Sequence, residues 1–390
     1  MTELLTFSTI EIYLTGITLL LFVIQLMYNL ITYARPLRFS KKKNQSETST
    51  KNTHLPPVSV IIYARGDAES LRTNLPIFLS QDYPNYEVIV VNDGEDTDSE
   101  DILKILSNEY EHLYYTYVPV DTQYLSHKKL ALTMGIKAAK NDILLFSEAN
   151  CQPLSPKWIE TMANSYISNT DICLGFCAYQ KDKGFLNKLI SYDNLLNGLQ
   201  YVSSALIQHP FSGNGRNLSY RRNLFFAHKG YSKSLNIHAG ADDLFINESA
   251  TRRNTQVVFS PESIIRIENC DYLSWKEMKI SHAVTQQFFK GSSLAFHKLY
   301  HVTFFLFLIA ALSTIFICVF KNWLISIVAG LLIIVRFIIK ASVFRKSSLL
   351  LQQKPLCLSL LILELVLPIY NMYIRIYRIF RGKLDYTSRI

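Results

Sequence analysis

Hydrophobic and polar positions divide the chain into regions of different period. From Ile12 to Ala34 there is no Asp, Glu, Lys or Arg, and the same holds from Leu299 to Phe320. A helix needs about 20 apolar residues to cross a bilayer core, so each run predicts a membrane-spanning helix. Between them, from 58 to about 298, short apolar runs alternate with segments whose apolar residues recur every three or four positions. Val58–Tyr63, Tyr86–Val91, Tyr114–Val120 and Ile143–Phe146 read as strands. Ala68–Ser80, with Leu71, Leu75, Phe78 and Leu79, reads as an amphipathic helix, as do Ser99–Tyr110 and Leu130–Lys140. This alternation predicts an α/β domain: a parallel sheet covered by helices and joined by right-handed crossovers. The later part is less regular. Phe185–Ile207 and a segment that follows the Asp242-Asp243 pair, to about Arg253, read as helices, and Val257–Ser260 and Ile264–Glu268 as short strands. Trp275–Lys290 has the basic, Trp-bearing composition of an interfacial helix.

The resulting organisation is a membrane anchor (1–34), a basic and polar linker (35–57), a globular domain (58–298) with its interfacial helix near 275–290, and a membrane region (299–390). In the last, Leu299–Phe320 and Asn322–Ile339 suggest a hairpin around Lys321. Pro355–Ile374 either crosses again or lies as a re-entrant or interfacial helix. Only the second arrangement keeps Arg375, Arg378, Arg381 and Lys383 on the side favoured for positive charge. Arg336 and Glu364 fall within apolar runs, where charges are often functional or mutually paired, and a pair between these two is one hypothesis.

Composition sharpens this picture. Hydrophobic residues make up 49% and charged residues 18% of the 390 residues, with a net charge of +9. Much of the positive charge flanks apolar segments, as in the run RPLRFSKKK from Arg35 to Lys43, which places that end in the cytoplasm. The first span has neither a basic lead nor a small-residue cleavage site, unlike a signal peptide. No basic-plus-aromatic constellation points to nucleic acid. The cysteines, at 151, 173, 177, 270, 318 and 357, form no CxxC pair or zinc spacing and suit a reducing compartment, with Cys173 and Cys177 in the core.

The candidate chemistry follows from strand ends. The run Ile143–Phe146 leads into Glu148 and Asn150, which an extended backbone points to one side. Oxygen ligands at the end of a strand suit a hard divalent cation; a polar strand-to-loop turn reads the same way. Asp93-Gly94 ends another strand and fits either a base or ribose contact or an ordinary turn. Asp242 and Asp243 fit a general base or a helix cap. Arg216, Arg221 and Arg222 fit phosphate or a solvated surface, and Gly213 and Gly215 allow close backbone approach. The first strand–helix loop lacks the glycine pattern of dinucleotide-binding folds.

The stretches VSVIIYARGD (Val58–Asp67), QDYP (Gln81–Pro84) and YEVIVVNDG (Tyr86–Gly94) resemble the opening of the family 2 inverting glycosyltransferases, with the resemblance running over about residues 58–290. The flanking spans resemble the branch that includes cellulose, chitin and hyaluronan synthases. The resemblance implies a GT-A-type mixed sheet flanked by helices, with N- and C-terminal transmembrane helices. It implies that Asp93 contacts the nucleobase, and that Asp67, Glu148, Lys128, Arg216, Gln287 and Lys290 help hold the nucleotide sugar. Glu148-Ala149-Asn150 stands at the family's Asp-x-Asp, where Mg²⁺ or Mn²⁺ bridges to the diphosphate. Asp243 stands at the general base, with Asp242 beside it. Gln287–Gly291 stands at Gln-x-x-Arg-Trp, with Lys290 for Arg and Gly291 for Trp; Trp275, Lys276 and Lys279 are possible substitutes. Glu148 is one methylene longer than Asp, and Asn150 carries no charge.

The function implied is transfer of a sugar, with inversion, from a nucleotide sugar (a UDP-sugar favoured) to a polysaccharide or lipid-linked acceptor in cell-surface glycan synthesis. The catalytic domain would lie on the cytoplasmic face of a bacterial cell membrane. The alternative is a non-catalytic glycosyltransferase-like membrane subunit with a degenerate metal site.

Overall fold

The computed structural model describes residues 8–46, 55–94, 96–119, 126–167, 169–356 and 358–381. The expectations for linker residues 47–54, for Val120 at a strand end, for Cys357 and for the tail at Lys383 lie outside the described residues.

Helix α1 (Thr9–Met27) starts at a capping box in which Ser8 and Glu11 exchange side-chain-to-backbone hydrogen bonds. A π-helical segment, Tyr28–Tyr33, carries it into α2 (Arg35–Ser46). The basic segment expected to be an unpacked linker is therefore helical up to Ser46. A helix already nucleated in the apolar span extends without a second nucleation cost. Docking then holds it: Arg35 donates to the Ser203 carbonyl at 3.0 Å, and the Phe39 and Phe259 rings meet at 5.9 Å.

The expected alternation follows as β1 (Val58–Ala64), α3 (Ala68–Leu79), β2 (Tyr86–Asn92), α4 (Thr97–Glu109), β3 (Leu113–Tyr117), α5 (His127–Ala138) and β4 (Ile143–Glu148). The second half adds β5 (Cys151–Pro153), α6 (Trp158–Ala163), β6 (Ile172–Leu174), β7 (Cys177–Tyr179), α7 (Phe185–Leu206), β8 (Leu218–Arg221), α8 (Arg222–Ala227), α9 (Asp243–Ser249), β9 (Thr255–Val257), β10 (Ile265–Ile267) and α10 (Tyr272–Thr285).

The main sheet has seven strands in the order β3-β2-β1-β4-β8-β6-β9. β3, β2, β1 and β4 run parallel, whereas β8 lies antiparallel to both β4 and β6. The sheet is therefore mixed, not purely parallel. β1 and β2 are buried nearly throughout, as apolar strands sandwiched between helices must be. A smaller sheet, β5-β10-β7, sits beside it. Asn217 ties the two sheets: its Nδ2 donates to the Phe176 and Ser263 carbonyls, and its Oδ1 accepts from Trp158 Nε1 at 3.1 Å. A Cβ at residue 175 would lie 2.4 Å from the Asn217 side chain, so only Gly175 fits where the chain breaks between β6 and β7.

Helices α11 (Ser293–Cys318), α12 (Trp323–Leu350) and α13 (Ser359–Arg381) follow. With α1 extended through α2, these are four helices long and apolar enough to cross a membrane. α1, α11 and α12 form a bundle whose outer surface exposes residues such as Ile10, Leu20, Phe316 and Ile338. Polar contacts lie between the helices: Thr18 meets Thr314 at 3.1 Å, and Asn322 donates to Glu11 at 2.8 Å. α13 packs chiefly on α10 and α7 rather than completing the bundle. The hypothesised Arg336–Glu364 pair is present, at 2.5 Å, and Lys340 joins it at 2.5 Å.

Candidate active site

The parallel strands end together. The β1–β4 register pairs Tyr63 with Glu148, and the Asp93 N–H donates to the Ala64 carbonyl at 2.8 Å. Glu148 and Asp93 thus stand at the carboxyl edge of the sheet, where α/β folds place their ligands. Beside this edge opens a cavity of about 270 Å³. It brings together Lys128, Glu148, Arg216, Asp242 and Asp243, with α10 as a further wall through Trp275, Lys279 and His282.

Glu148 is held between two cations. Lys128 Nζ reaches Oε1 and Arg216 Nε reaches Oε2, each at 2.5 Å. Burial opposes ionisation of this carboxyl, but Arg216 and Lys128 outweigh it and hold the pKa down at about 2. Burial likewise opposes charge on Lys128, and Glu148 and Asp242 reverse that, leaving its pKa raised. Lys129, the next residue, turns inward. Its Nζ donates to the Ser234 and Ile237 carbonyls, and burial pushes its pKa down to about 8. It anchors the loop that leads to the acidic pair.

Asp242 and Asp243 differ in environment. Asp242 Oδ2 accepts from the Gly215 N–H at 2.7 Å, an approach so close that a Cβ at 215 would collide with the carboxylate. Burial alone would raise the Asp242 pKa, but Lys128, His282 and that N–H lower it. Burial and the adjacent Asp242 charge raise that of Asp243, whose Oδ2 accepts from Thr285 Oγ1 at 2.7 Å. Two neighbouring carboxyls with opposed shifts are suited to different roles, and the higher one is the better proton acceptor.

Other expected site residues are placed elsewhere. Asp93 accepts from Tyr63 Oη at 2.7 Å and lies 2.9 Å from His127 Nδ1, outside the walls of this cavity. Asp67, at the start of α3, accepts from the Arg65 N–H at 3.0 Å. Asn150 Oδ1 accepts from Cys151 Sγ at 3.4 Å. Gln287 and Lys290 do not line the cavity, although Gln286 and Phe289 beside them do; Gln287 Nε2 donates to the Val284 carbonyl at 3.0 Å. Lys290 instead exchanges backbone hydrogen bonds with the Asn247 side chain. Of the possible substitutes, Trp275 and Lys279 line the cavity, whereas Lys276 sits over the Tyr377 ring at 3.8 Å. Trp275, expected at a lipid interface, is buried and stacked on Tyr370 at 4.7 Å.

Sequence reading missed His127, Tyr63, His282 and Thr285. The last two were visible in principle: Trp275, Lys279, His282 and Thr285 recur at helical spacing and form one face of α10.

The donor set fits a divalent cation poorly. Both Glu148 oxygens already face cations, and Asn150 is turned to Cys151. Among the described residues, no group of three or more His, Cys, Asp or Glu could hold a metal ion.

Residues 59–230 match the glycosyl transferase family 2 profile. A 122-residue stretch is 34% identical to the Haloferax volcanii "Glycosyltransferase AglE"; it covers 31% of this chain and 38% of that relative. Among solved structures, the Pyrobaculum calidifontis mannosyltransferase PcManGT, in complex with GDP-Man and Mn²⁺, superposes with a TM-score of 0.57 at 14% identity. That alignment covers 92% of this chain and 99% of the other. TarS from S. aureus (residues 1–349) aligns over 58% of this chain and 64% of its own length, with a TM-score of 0.40 and 16% identity.

Proposed function

We propose that this integral membrane protein, whose residues 59–230 match the glycosyl transferase family 2 profile on a GT-A-like fold, transfers a sugar from a nucleotide sugar to an acceptor hydroxyl with inversion. The observation that carries this reading is the meeting of Asp243, Asp242, Lys128 and Arg216 around one cavity. Asp243 takes the proton from the acceptor hydroxyl. The freed oxygen attacks the anomeric carbon from the face opposite the leaving group, and the bond to the diphosphate breaks. Asp242, held ionised beside Lys128, raises the basicity of Asp243. Lys128 and Arg216, both paired to Glu148, are the cationic N–H donors on hand for the departing diphosphate. Asp93 and Asp67, at the ends of the loops after β2 and β1, form the nucleotide side. The donor is taken to be a UDP- or GDP-sugar, the former favoured by the sequence resemblance.

No step is routed through Mg²⁺ or Mn²⁺, because the carboxylate that would hold the ion is already shared by two cations. Turnover is therefore expected to survive EDTA; loss of activity on chelation and its recovery with Mn²⁺ would show that the ion displaces Lys128 or Arg216. The same closed Glu148 site favours a second reading, a non-catalytic subunit. Nucleotide-sugar binding without turnover, in every acceptor-containing membrane tried, would select it.

The catalytic domain is assigned to the cytoplasmic face on charge, since Arg35, Arg38, Lys41 and Lys42 follow the first span. An α13 lying along the interface, as its packing on α10 and α7 supports, keeps Arg375 and Arg378 on that same face. Relationship to the cellulose, chitin and hyaluronan synthase branch rests on the sequence resemblance. With Gln287 and Lys290 outside the cavity, addition of one or a few sugars to a glycan or lipid-linked acceptor is favoured over long-chain synthesis.

A further inference from the structure

A second cavity, of about 80 Å³, adjoins the first and shares Asn197, Lys279, His282 and Gln286 with it. Its walls come from α7, α10, the opening turns of α11 and the later part of α13. Lys279, Lys298 and Arg375 contribute three positive charges and Asp193 one negative, a net of +2 with the histidines neutral. Lys279 is paired with Asp193 at 2.8 Å. Among the described residues, neither Lys298 nor Arg375 has a carboxylate at ion-pair distance. Two wall histidines are also incompletely satisfied. His297 is 1% exposed and meets Ser204 Oγ through Nε2 at 2.8 Å, yet its Nδ1 has no hydrogen-bond partner; His301 Nδ1 has none either. Those ring nitrogens are themselves buried, so the histidines shape the wall while Lys298 and Arg375 carry its charge.

The position of this cavity narrows the ligand. α11 enters its long apolar run just past these residues, and Phe296, Leu299, Val302 and Leu306 are exposed along its outer side. The excess positive charge therefore sits at the level of lipid headgroups, with an apolar surface leading away and the larger cavity on the other side. We propose that this second cavity holds the phosphate of a membrane-anchored acceptor, whose hydrocarbon tail follows the exposed face of α11 and whose free end reaches toward Asp243. The proposal rests on the glycosyl-transfer reading for its direction, but its binding chemistry is separate.

The test titrates geranylgeranyl phosphate, geranylgeraniol and inorganic phosphate into the full chain in phosphatidylcholine nanodiscs, with microscale thermophoresis as readout. The lipid phosphate should bind at least roughly tenfold more tightly than either the alcohol or inorganic phosphate, since only it offers both charge and tail. The Lys298→Gln/Arg375→Gln variant should lose roughly tenfold or more of that affinity. The Lys298→Arg/Arg375→Lys variant should keep most of it, and both should bind nucleotide sugar like wild type. Equal binding of alcohol and phosphate, or full affinity in the double Gln variant, overturns the proposal. Equal binding of inorganic and lipid phosphate overturns its membrane anchor. Failure of every nucleotide sugar to bind the wild type would sink the transfer reading alone, leaving the lipid-phosphate titration to stand or fall by itself.

Discussion

Replacing Asp243 with Asn is expected to lower kcat by about 10²–10⁴-fold while leaving nucleotide-sugar binding near its wild-type value. The substitution preserves shape and a hydrogen-bond acceptor for Thr285 Oγ1, which lies 2.7 Å from Asp243 Oδ2, but removes the proton acceptor. The pH dependence should identify the residue. Asp243 must be ionised to act, and burial together with the Asp242 charge raises its pKa, so kcat/KM should fall as pH drops through a value above that of an ordinary aspartate. Asp242→Asn removes the charge that raises it. The acid limb of that variant should therefore move to lower pH. An acid limb that stays in place, or an Asp243→Asn enzyme with undiminished kcat, would assign the base elsewhere.

Glu364→Ala is expected to destabilise the chain by about 3–5 kcal/mol, measured by chemical unfolding in detergent. Arg336 is 3% exposed and Lys340 is fully buried, and both converge on this carboxylate. Tyr300 Oη also donates to it at 2.9 Å, while Arg336 reaches Gln25 Oε1 at 2.8 Å, so the group links α1, α11, α12 and α13. Removing the carboxylate leaves two cations without a counter-charge in an apolar setting. A Glu364→Leu/Arg336→Met/Lys340→Leu variant should recover much of the loss, because the apolar replacements leave no unpaired charge. Additive effects of the three substitutions would show that the residues do not act as a unit.

How much of this was legible follows from the range of the interactions involved. The β1–α3–β2–α4–β3–α5–β4 order was readable because each element carries its own period, local to a few residues. The pairing of β8 between β4 and β6 was not. β6 and β9 are three residues long and β8 four, too short to show a period, and their neighbours are distant in sequence. Cys173 and Cys177 do lie in the core, but on two separate strands, and the chain divides between them at Gly175 because the Asn217 side chain occupies the space there. The α2 helix was hidden because its polar composition says nothing of the span it continues. In the site, the acidic residues were legible as strand-end and loop carboxylates. The pairing of Glu148 with Lys128 and Arg216 was not, since α5 and the loop before β8 meet β4 only in the fold. That pairing sets two cations on the carboxylate at the Asp-x-Asp position.

The most direct test measures nucleoside diphosphate release by the full chain, wild type and Asp243→Asn, in acceptor-containing membranes supplied with a panel of UDP- and GDP-sugars. The account predicts release from wild type with at least one member of the panel and loss of that release in the variant. Equal release from both, or none from wild type across the panel, would contradict it.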